Sequence, residues 1–71
     1  MSEYDVILKD RDGDDICADL VDGLGAAKTR ARYLLSDVHA KNLGTSHDDL
    51  GTYKVEVQAT RTGVCLWDAF R

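Results

Sequence analysis

Two turn sequences of the same form constrain the fold of this chain most strongly. Residues 10–13 (DRDG) and 60–63 (TRTG) each separate two segments in which apolar and polar residues alternate. Alternation with a period of two is typical of a strand, and a glycine closing a short loop is typical of a hairpin. The sequence therefore predicts two β-hairpins, one towards each end of the chain.

The predicted strands cover residues 4–9, 16–21, 53–59 and 64–70. Between the hairpins, apolar residues recur at helical spacing, which predicts one amphipathic helix over residues 25–42. Gly44 suits a left-handed C-cap, and a polar loop follows over residues 45–51. The result is an α+β fold of the order β-β-α-β-β, in which one helix packs on one face of a four-stranded, mainly antiparallel sheet. The strand order between the two hairpins stays open.

The register of the first hairpin decides which residues share a face. A three-residue loop over residues 11–13 pairs Leu8 with Ile16, whereas a two-residue loop would pair Leu8 with Cys17. A slip of one residue moves every side chain of a strand to the other face. We expect the three-residue loop, because it places the strongly apolar residues of both strands on one side.

A loop of the same length in the second hairpin pairs Ala59 with Cys65, Val57 with Trp67 and Val55 with Ala69. A four-residue loop would bury an unpaired carboxylate, which is costly. We expect Trp67 to lie mostly buried against the helix, near Val57. The predicted inner face consists of Tyr4, Val6, Leu8, Ile16, Ala18, Leu20, Tyr53, Val55, Val57, Ala59, Cys65 and Trp67, with Leu24, Ala27, Ala31, Leu34, Leu35 and Val38 from the helix.

Charge is distributed unevenly along the 71 residues, a length that predicts a single domain over 1–71. The net charge is −4, but residues 1–22 hold eight acidic and two basic side chains, a local charge of −6. Such a balance favours basic partners. No apolar run approaches the length of a membrane span, and the acidic first residues lack the features of a signal peptide. Two cysteines are too few for a disulfide framework, so we expect a cytoplasmic protein without a membrane partner.

The acidic turn formed by Asp10, Asp12, Asp14 and Asp15 invites comparison with a calcium-binding loop. An EF-hand loop needs glycine after its third acidic position and a glutamate at its twelfth. Here glycine follows the second aspartate, and Val21 stands at the twelfth position. We therefore expect a solvated turn rather than a metal site.

The sequence contains no pattern that predicts catalysis. The expected registers place Cys65 on the inner face and Cys17 on the outer face, where nearby carboxylates would raise the pKa of the Cys17 thiol. His39 and His47 lack the spacing of metal ligands, and no glycine-rich phosphate loop occurs. We expect no enzyme activity, no catalytic residue, no cofactor, no metal and no small-molecule ligand.

Basic residues lie on both flanks of the predicted helix, with Lys28 and Arg32 on one flank and Arg30 and Lys41 on the other. A basic ridge can follow a phosphate backbone. The acidic balance of the chain and the lack of a neighbouring exposed aromatic residue disfavour this use. Nucleic-acid binding through these four residues is therefore the alternative hypothesis.

The predicted outer face of the sheet shows Ile7, Val21, Leu66 and Phe70 among charged residues. A sheet covered on one side should be polar on the other, and apolar groups rimmed by charge mark interfaces. The leading hypothesis is a small acidic, non-enzymatic interaction module. It would bind a protein partner or a second copy through this face and the acidic first hairpin. A metal or redox function of the acidic turn or the thiols is a third hypothesis.

Overall fold

The computed structural model of the chain describes residues 2–44 and 53–70. The predicted loop over residues 45–51, with His47, lies outside these residues. The elements are β1 (Glu3–Lys9), β2 (Asp15–Asp22), α1 (Leu24–Leu34), α2 (Asp37–Leu43), β3 (Lys54–Ala59) and β4 (Cys65–Phe70). They form one four-stranded antiparallel sheet with the main helix packed against it, which confirms the predicted α+β fold.

The strand order is β2-β1-β3-β4, and all three strand pairs are antiparallel. The first strand of each hairpin therefore lies in the centre of the sheet, and the second strand of each hairpin lies at an edge. In the central strands, Val6, Leu8, Val55 and Val57 are fully buried. The two edge strands are more exposed than the central strands, so both edges are accessible for contacts with other molecules.

Helix α1 covers the inner face of the sheet above β1, β2 and β3. Its buried residues Ala27, Ala31 and Leu34 pack against the buried side chains of the central strands. Burying a valine or leucine side chain stabilises a fold by about 1.5–3 kcal/mol, so this small core supplies much of the driving force for folding. No helix in residues 2–44 or 53–70 is long and apolar enough to cross a membrane.

The single predicted helix over residues 25–42 is wrong, because the structure divides it into α1 and α2. Ser36 is extended, with a ψ of 160°, and its hydroxyl oxygen accepts the backbone N–H of His39 at 3.3 Å. Serine is a preferred N-cap residue, so Ser36 begins a second helix instead of continuing the first. The break changes the phase of the helical faces: Val38, a predicted core residue, is 63% exposed, whereas Ala40 is buried. Gly44 has a φ of 73° and is the left-handed C-cap that the sequence predicts.

The first hairpin has the predicted loop but not the predicted register. Asp10 donates its N–H to the Asp14 carbonyl at 3.0 Å, which leaves residues 11–13 as the loop. A β-bulge then leaves Ile16 unpaired, so Leu8 lies opposite Cys17. The bulge inserts one residue into β2 and thereby exchanges the faces of the strand.

Several residues of the first hairpin and the helix consequently lie where the sequence did not place them. Cys17 and Val21 pack against the core, although both were expected on the outer face. Ile16 and Leu20, expected inside, are 38% and 62% exposed, and Ala18 is exposed too. Leu24, at the start of α1, is also only partly covered, at 37% exposure.

The second hairpin has the predicted central register but a longer loop. Val57 lies opposite Trp67 and Val55 lies opposite Ala69, as predicted. The Ala59 N–H, however, donates to the Val64 carbonyl at 2.9 Å, and a bulge leaves Leu66 unpaired. The predicted pair of Ala59 and Cys65 is therefore wrong.

Cys65 pairs with Gln58 and is exposed, although the sequence placed it on the inner face. Trp67 packs against the core as predicted, but it is only half-buried, because β4 is an edge strand. The longer loop and the bulge compensate for each other, so only the residues nearest the turn differ from expectation.

Candidate functional site

The four predicted interface residues do not form one patch on the outer face. Ile7 lies in the centre of that face but is only 9% exposed, and Val21 packs on the inner side. Leu66 and Phe70 are 52% and 66% exposed, and both belong to the edge strand β4. The bulge at Ile16 removes Val21 from the outer face, so the predicted patch reduces to two residues near one edge.

Polar side chains occupy most of the outer face. Three rows of paired residues cross the sheet there: Phe70, Lys54, Lys9 and Asp15; Asp68, Glu56, Ile7 and Ala18; Cys65, Gln58, Asp5 and Leu20. Glu56 is the centre of this network, since it receives the Lys54 ammonium and the Gln58 amide, each at 2.9 Å. Within these rows, the two most exposed apolar side chains are Leu20 and Phe70, which lie at opposite corners. The outer face is therefore mainly polar, as expected for a sheet that is covered on one side only.

The ion pairs of the outer face shift the pKa values of their members. The hydrogen bonds from Lys54 and Gln58 lower the pKa of Glu56 below its ordinary value. The same contact raises the pKa of Lys54, and the hydrogen bond to Asp15 raises the pKa of Lys9. Hydrogen bonds to the charged form of a group favour that form. The Lys9–Asp15 pair therefore joins β1 to β2, whereas Lys54 and Glu56 pair along β3, and both pairs are held in their charged states.

The acidic turn divides into residues that hold the loop and residues that face solvent. One carboxylate oxygen of Asp10 accepts the N–H groups of Asp12 and Asp14, at 2.9 and 3.0 Å. Asp15 pairs with the Lys9 ammonium at 2.9 Å. Asp12 and Asp14 are exposed. Among the residues that the structure describes, no three potential metal ligands come together.

Edge strand β2 continues the acidic surface beyond the turn. It contains three aspartates and no basic residue. Asp22 is exposed, and Asp19 lies at the inner side of the strand, where the Arg30 guanidinium donates to its carboxylate at 2.7 Å. The turn and this edge together form an acidic border along one side of the sheet.

A groove of about 620 Å³ runs between β2 and α1, beside the acidic border. Its walls are Val21 from the strand and Ala26, Thr29, Arg30 and Tyr33 from the helix. The Arg30 guanidinium lies 4.9 Å from the centre of the Tyr33 ring and is also held by Asp19, so one wall is fixed by two contacts. Sequence reasoning missed this groove because it placed the side chains of Val21 and Asp19 on the opposite face. The opposite charges of Asp19 in the strand and Arg30 in the helix were the sequence feature that could have indicated that these two side chains face each other.

The basic residues predicted for nucleic-acid contact diverge. The Lys28 ammonium lies 5.9 Å from the centre of the Trp67 ring, on the β4 side of α1. Arg30 points to Asp19 on the β2 side. Arg32 and Lys41 are exposed, but they belong to different helices. The four side chains therefore do not form one ridge.

The two cysteines lie on opposite faces and are free thiols, but their exposure is the reverse of the prediction. Cys17 is half-buried on the inner side, where burial and then the Asp19 carboxylate raise the pKa of its thiol. Cys65 is exposed on the outer side, and partial burial followed by Glu56 raises the pKa of its thiol. Neither thiol has the lowered pKa of a reactive cysteine.

Comparison of the chain with models of known protein families, with curated proteins and with solved structures gives no match. The acidic border, the groove and the edge strands are therefore the features of the molecule that indicate a function.

Proposed function

We propose that this protein is a non-enzymatic interaction module that binds a basic protein partner through its first hairpin. The observation that supports this most strongly is the concentration of acidic residues at one edge of the sheet. Asp12, Asp14 and Asp22 are all exposed there, and residues 1–22 have a local charge of −6. Complementary charge speeds association and selects partners of opposite sign.

The test neutralises the border without disturbing its contacts. Asp12, Asp14 and Asp22 are replaced together by asparagine, and a matched control replaces Asp48, Asp49 and Asp68, which lie outside the first hairpin. Immobilised wild-type and variant proteins are compared for the proteins they retain from the source cell, and a retained protein is then purified and titrated. We expect a basic partner that the control retains, that the border variant loses, and that high salt releases.

The result that would overturn the proposal is equal retention by all three proteins. A nucleic acid would replace the protein partner if duplex DNA or RNA bound with a steep salt dependence that disappeared in a Lys28, Arg32 and Lys41 triple glutamine variant. The divergence of these basic side chains gives this alternative less support than the acidic border gives the first.

A second copy is the other partner that fits the proposal, through the exposed residues Leu66 and Phe70 of β4. Sedimentation of the wild type and of Leu66→Asp distinguishes the cases. A wild-type dimer that the substitution dissociates, with an unchanged circular dichroism spectrum, would show that β4 is the contact. A wild-type monomer would leave the first hairpin as the proposed binding surface.

A further inference from the structure

We propose that the partner of the first hairpin binds as an extended basic strand that pairs with β2 and inserts an apolar side chain into the groove between β2 and α1. This inference rests on the proposed function and specifies how the acidic border would be used. Strand addition to an exposed sheet edge obtains affinity from backbone hydrogen bonds and specificity from pockets for alternate side chains.

The free side of β2 follows from its hydrogen bonds with β1. The Gly23 N–H donates to the Ser2 carbonyl at 2.8 Å. In the register that pairs Tyr4 with Val21, Gly23 lies opposite Ser2, so these two residues are a hydrogen-bonded pair. In an antiparallel pair, bonded and non-bonded residues alternate. Residues 17, 19 and 21 therefore bond to β1, and the backbone groups of Ala18, Leu20 and Asp22 point away from it. Within residues 2–44 and 53–70, no other strand pairs with this side of β2.

The alternation of side chains then places every second residue of an added strand above the groove. Residues opposite Asp19 and Val21 share the inner face, next to the walls contributed by Ala26 and Tyr33. The groove is shallow and open, so a leucine or an aromatic side chain of the added strand can pack against its apolar walls. Residues opposite Ala18, Leu20 and Asp22 lie on the outer face, where Leu20 is 62% exposed.

Charge selects the occupant of this edge. Asp22 is exposed at one end of β2, and Asp12 and Asp14 are exposed beyond the other end. Lysine or arginine residues on the outer side of an added strand would approach these carboxylates. A second copy of β2 would instead add the same acidic side chains to this edge, and like charges repel each other. The edge therefore fits a basic segment of another protein better than it fits itself.

The probe is a synthetic, capped peptide of about seven residues, the ordinary length of a strand, in which lysine and threonine alternate and the central threonine is replaced by leucine. Two further versions of the peptide are methylated at backbone nitrogens. One version is methylated at the lysines, and the other is methylated at the remaining residues. In antiparallel addition, the lysines share the outer face with Leu20, so their backbone groups point to β2. We expect methylation of the lysines to weaken binding by about tenfold or more, since each methyl group removes a backbone donor, and methylation of the other set to have little effect.

The groove is tested separately by filling it. Ala26→Gln adds a longer uncharged side chain at an exposed helical position in the groove wall, and Asn42→Gln adds the same side chain on α2 outside the groove. We expect about tenfold weaker binding of the leucine peptide to Ala26→Gln and unchanged binding to Asn42→Gln, with equal helix content in both. Bound peptide should also slow the hydrogen exchange of the Ala18, Leu20 and Asp22 amides.

The outcomes separate this inference from the proposed function. In one outcome, the peptide binds the wild type but not the asparagine variant of Asp12, Asp14 and Asp22. If both methylated peptides then bind as well as each other, and both glutamine variants bind the leucine peptide equally, the border attracts cations without strand addition. That outcome would show that the inference is wrong. If neither the peptide nor any protein from the cell responds to the asparagine substitutions, both are wrong.

Discussion

The aspartates of the first hairpin differ in what their carboxylates contact. Asp10 fixes the turn by accepting two backbone N–H groups, and Asp19 holds Arg30 against α1. Removing either would disturb local structure. Asp12 and Asp22 are exposed and are better positions for testing the binding of a partner.

The exposed thiol of Cys65 should react before that of Cys17 with a thiol reagent such as a disulfide dye. Burial raises the pKa of both thiols, so the difference in rate follows from access: Cys65 is exposed, and Cys17 packs against the core. Single variants Cys17→Ser and Cys65→Ser assign the fast and slow phases of the reaction.

A fast phase that persists in Cys65→Ser would contradict the observed bulge of the second hairpin. The sequence-based registers predicted that reversed order. The experiment therefore tests the two bulges through two side chains that the bulges place on opposite faces.

The bulges are the features of single elements that matter most in this fold. Each hairpin contains one unpaired residue in its second strand, Ile16 in β2 and Leu66 in β4. Bulges are frequent in edge strands, where they bend the strand and increase its twist. In β2 the bulge also turns Val21 towards α1, which creates the strand wall of the groove.

The register of β2 predicts a large contrast between two leucine-to-alanine substitutions. Leu8→Ala should lower the free energy of unfolding by about 2–5 kcal/mol, because Leu8 is fully buried in the core. Leu20→Ala should change it by no more than about 0.5 kcal/mol, because Leu20 is mostly exposed. Urea unfolding monitored by circular dichroism measures both. A loss for Leu20→Ala similar to that for Leu8→Ala would restore the register without the bulge.

The break between α1 and α2 predicts the effect of changing Ser36. Ser36→Ala should lower the free energy of unfolding by about 1 kcal/mol, because the variant lacks the hydroxyl that accepts the His39 N–H. Ser36→Asp is the matched control, since aspartate is an equally good N-cap. If both variants were as stable as the wild type in urea unfolding, the two segments would behave as the single helix that the apolar spacing predicts.

At the scale of the whole molecule, the sheet has two unlike edges joined by a polar outer face. The β2 edge is acidic, and the β4 edge exposes Leu66 and Phe70. Between these edges, the Lys9–Asp15 ion pair joins β1 to β2, and the Lys54–Glu56 ion pair lies along β3. The molecule therefore has one acidic edge and one edge with exposed apolar side chains, and the two proposed contacts depend on these edges.

The Glu56 network predicts a loss of stability in acid. The folded state lowers the pKa of Glu56, so its contribution is present above the ordinary glutamate pKa and is lost as the pH falls through the lower, folded value. Stability should therefore fall between about pH 5 and pH 3, and the decrease should be smaller in Glu56→Gln. Urea midpoints measured across this range test the prediction.

The lysines of the same network act in the opposite direction. The folded state raises the pKa of Lys9 and of Lys54, so their contribution is present at neutral pH and is lost as the pH rises through the folded values.

An acid dependence that is the same in Glu56→Gln and the wild type would contradict the prediction for Glu56. It would show that other carboxylates control stability in the acid range.

Local sequence patterns are sufficient to predict the four strands, the positions of both turns, the C-cap at Gly44 and most of the core. These features depend on local patterns: period-two alternation, glycine with positive φ and apolar spacing in α1. Val6, Leu8, Val55 and Val57 are buried in either register, because the central strands are covered whatever the edge strands do. The concentration of acidic residues in the first hairpin was also evident from the sequence.

The face that β2 turns to α1 depends instead on tertiary contacts. One inserted residue exchanges the faces of β2, and the alternating pattern of residues 16–21 contains apolar side chains on both sides, so neither register was excluded locally. The strand order also depends on contacts between the hairpins, far apart in sequence. The groove beside β2 requires Val21, Asp19 and Arg30 to meet, and that meeting follows from the bulge and from the packing of α1 across the sheet.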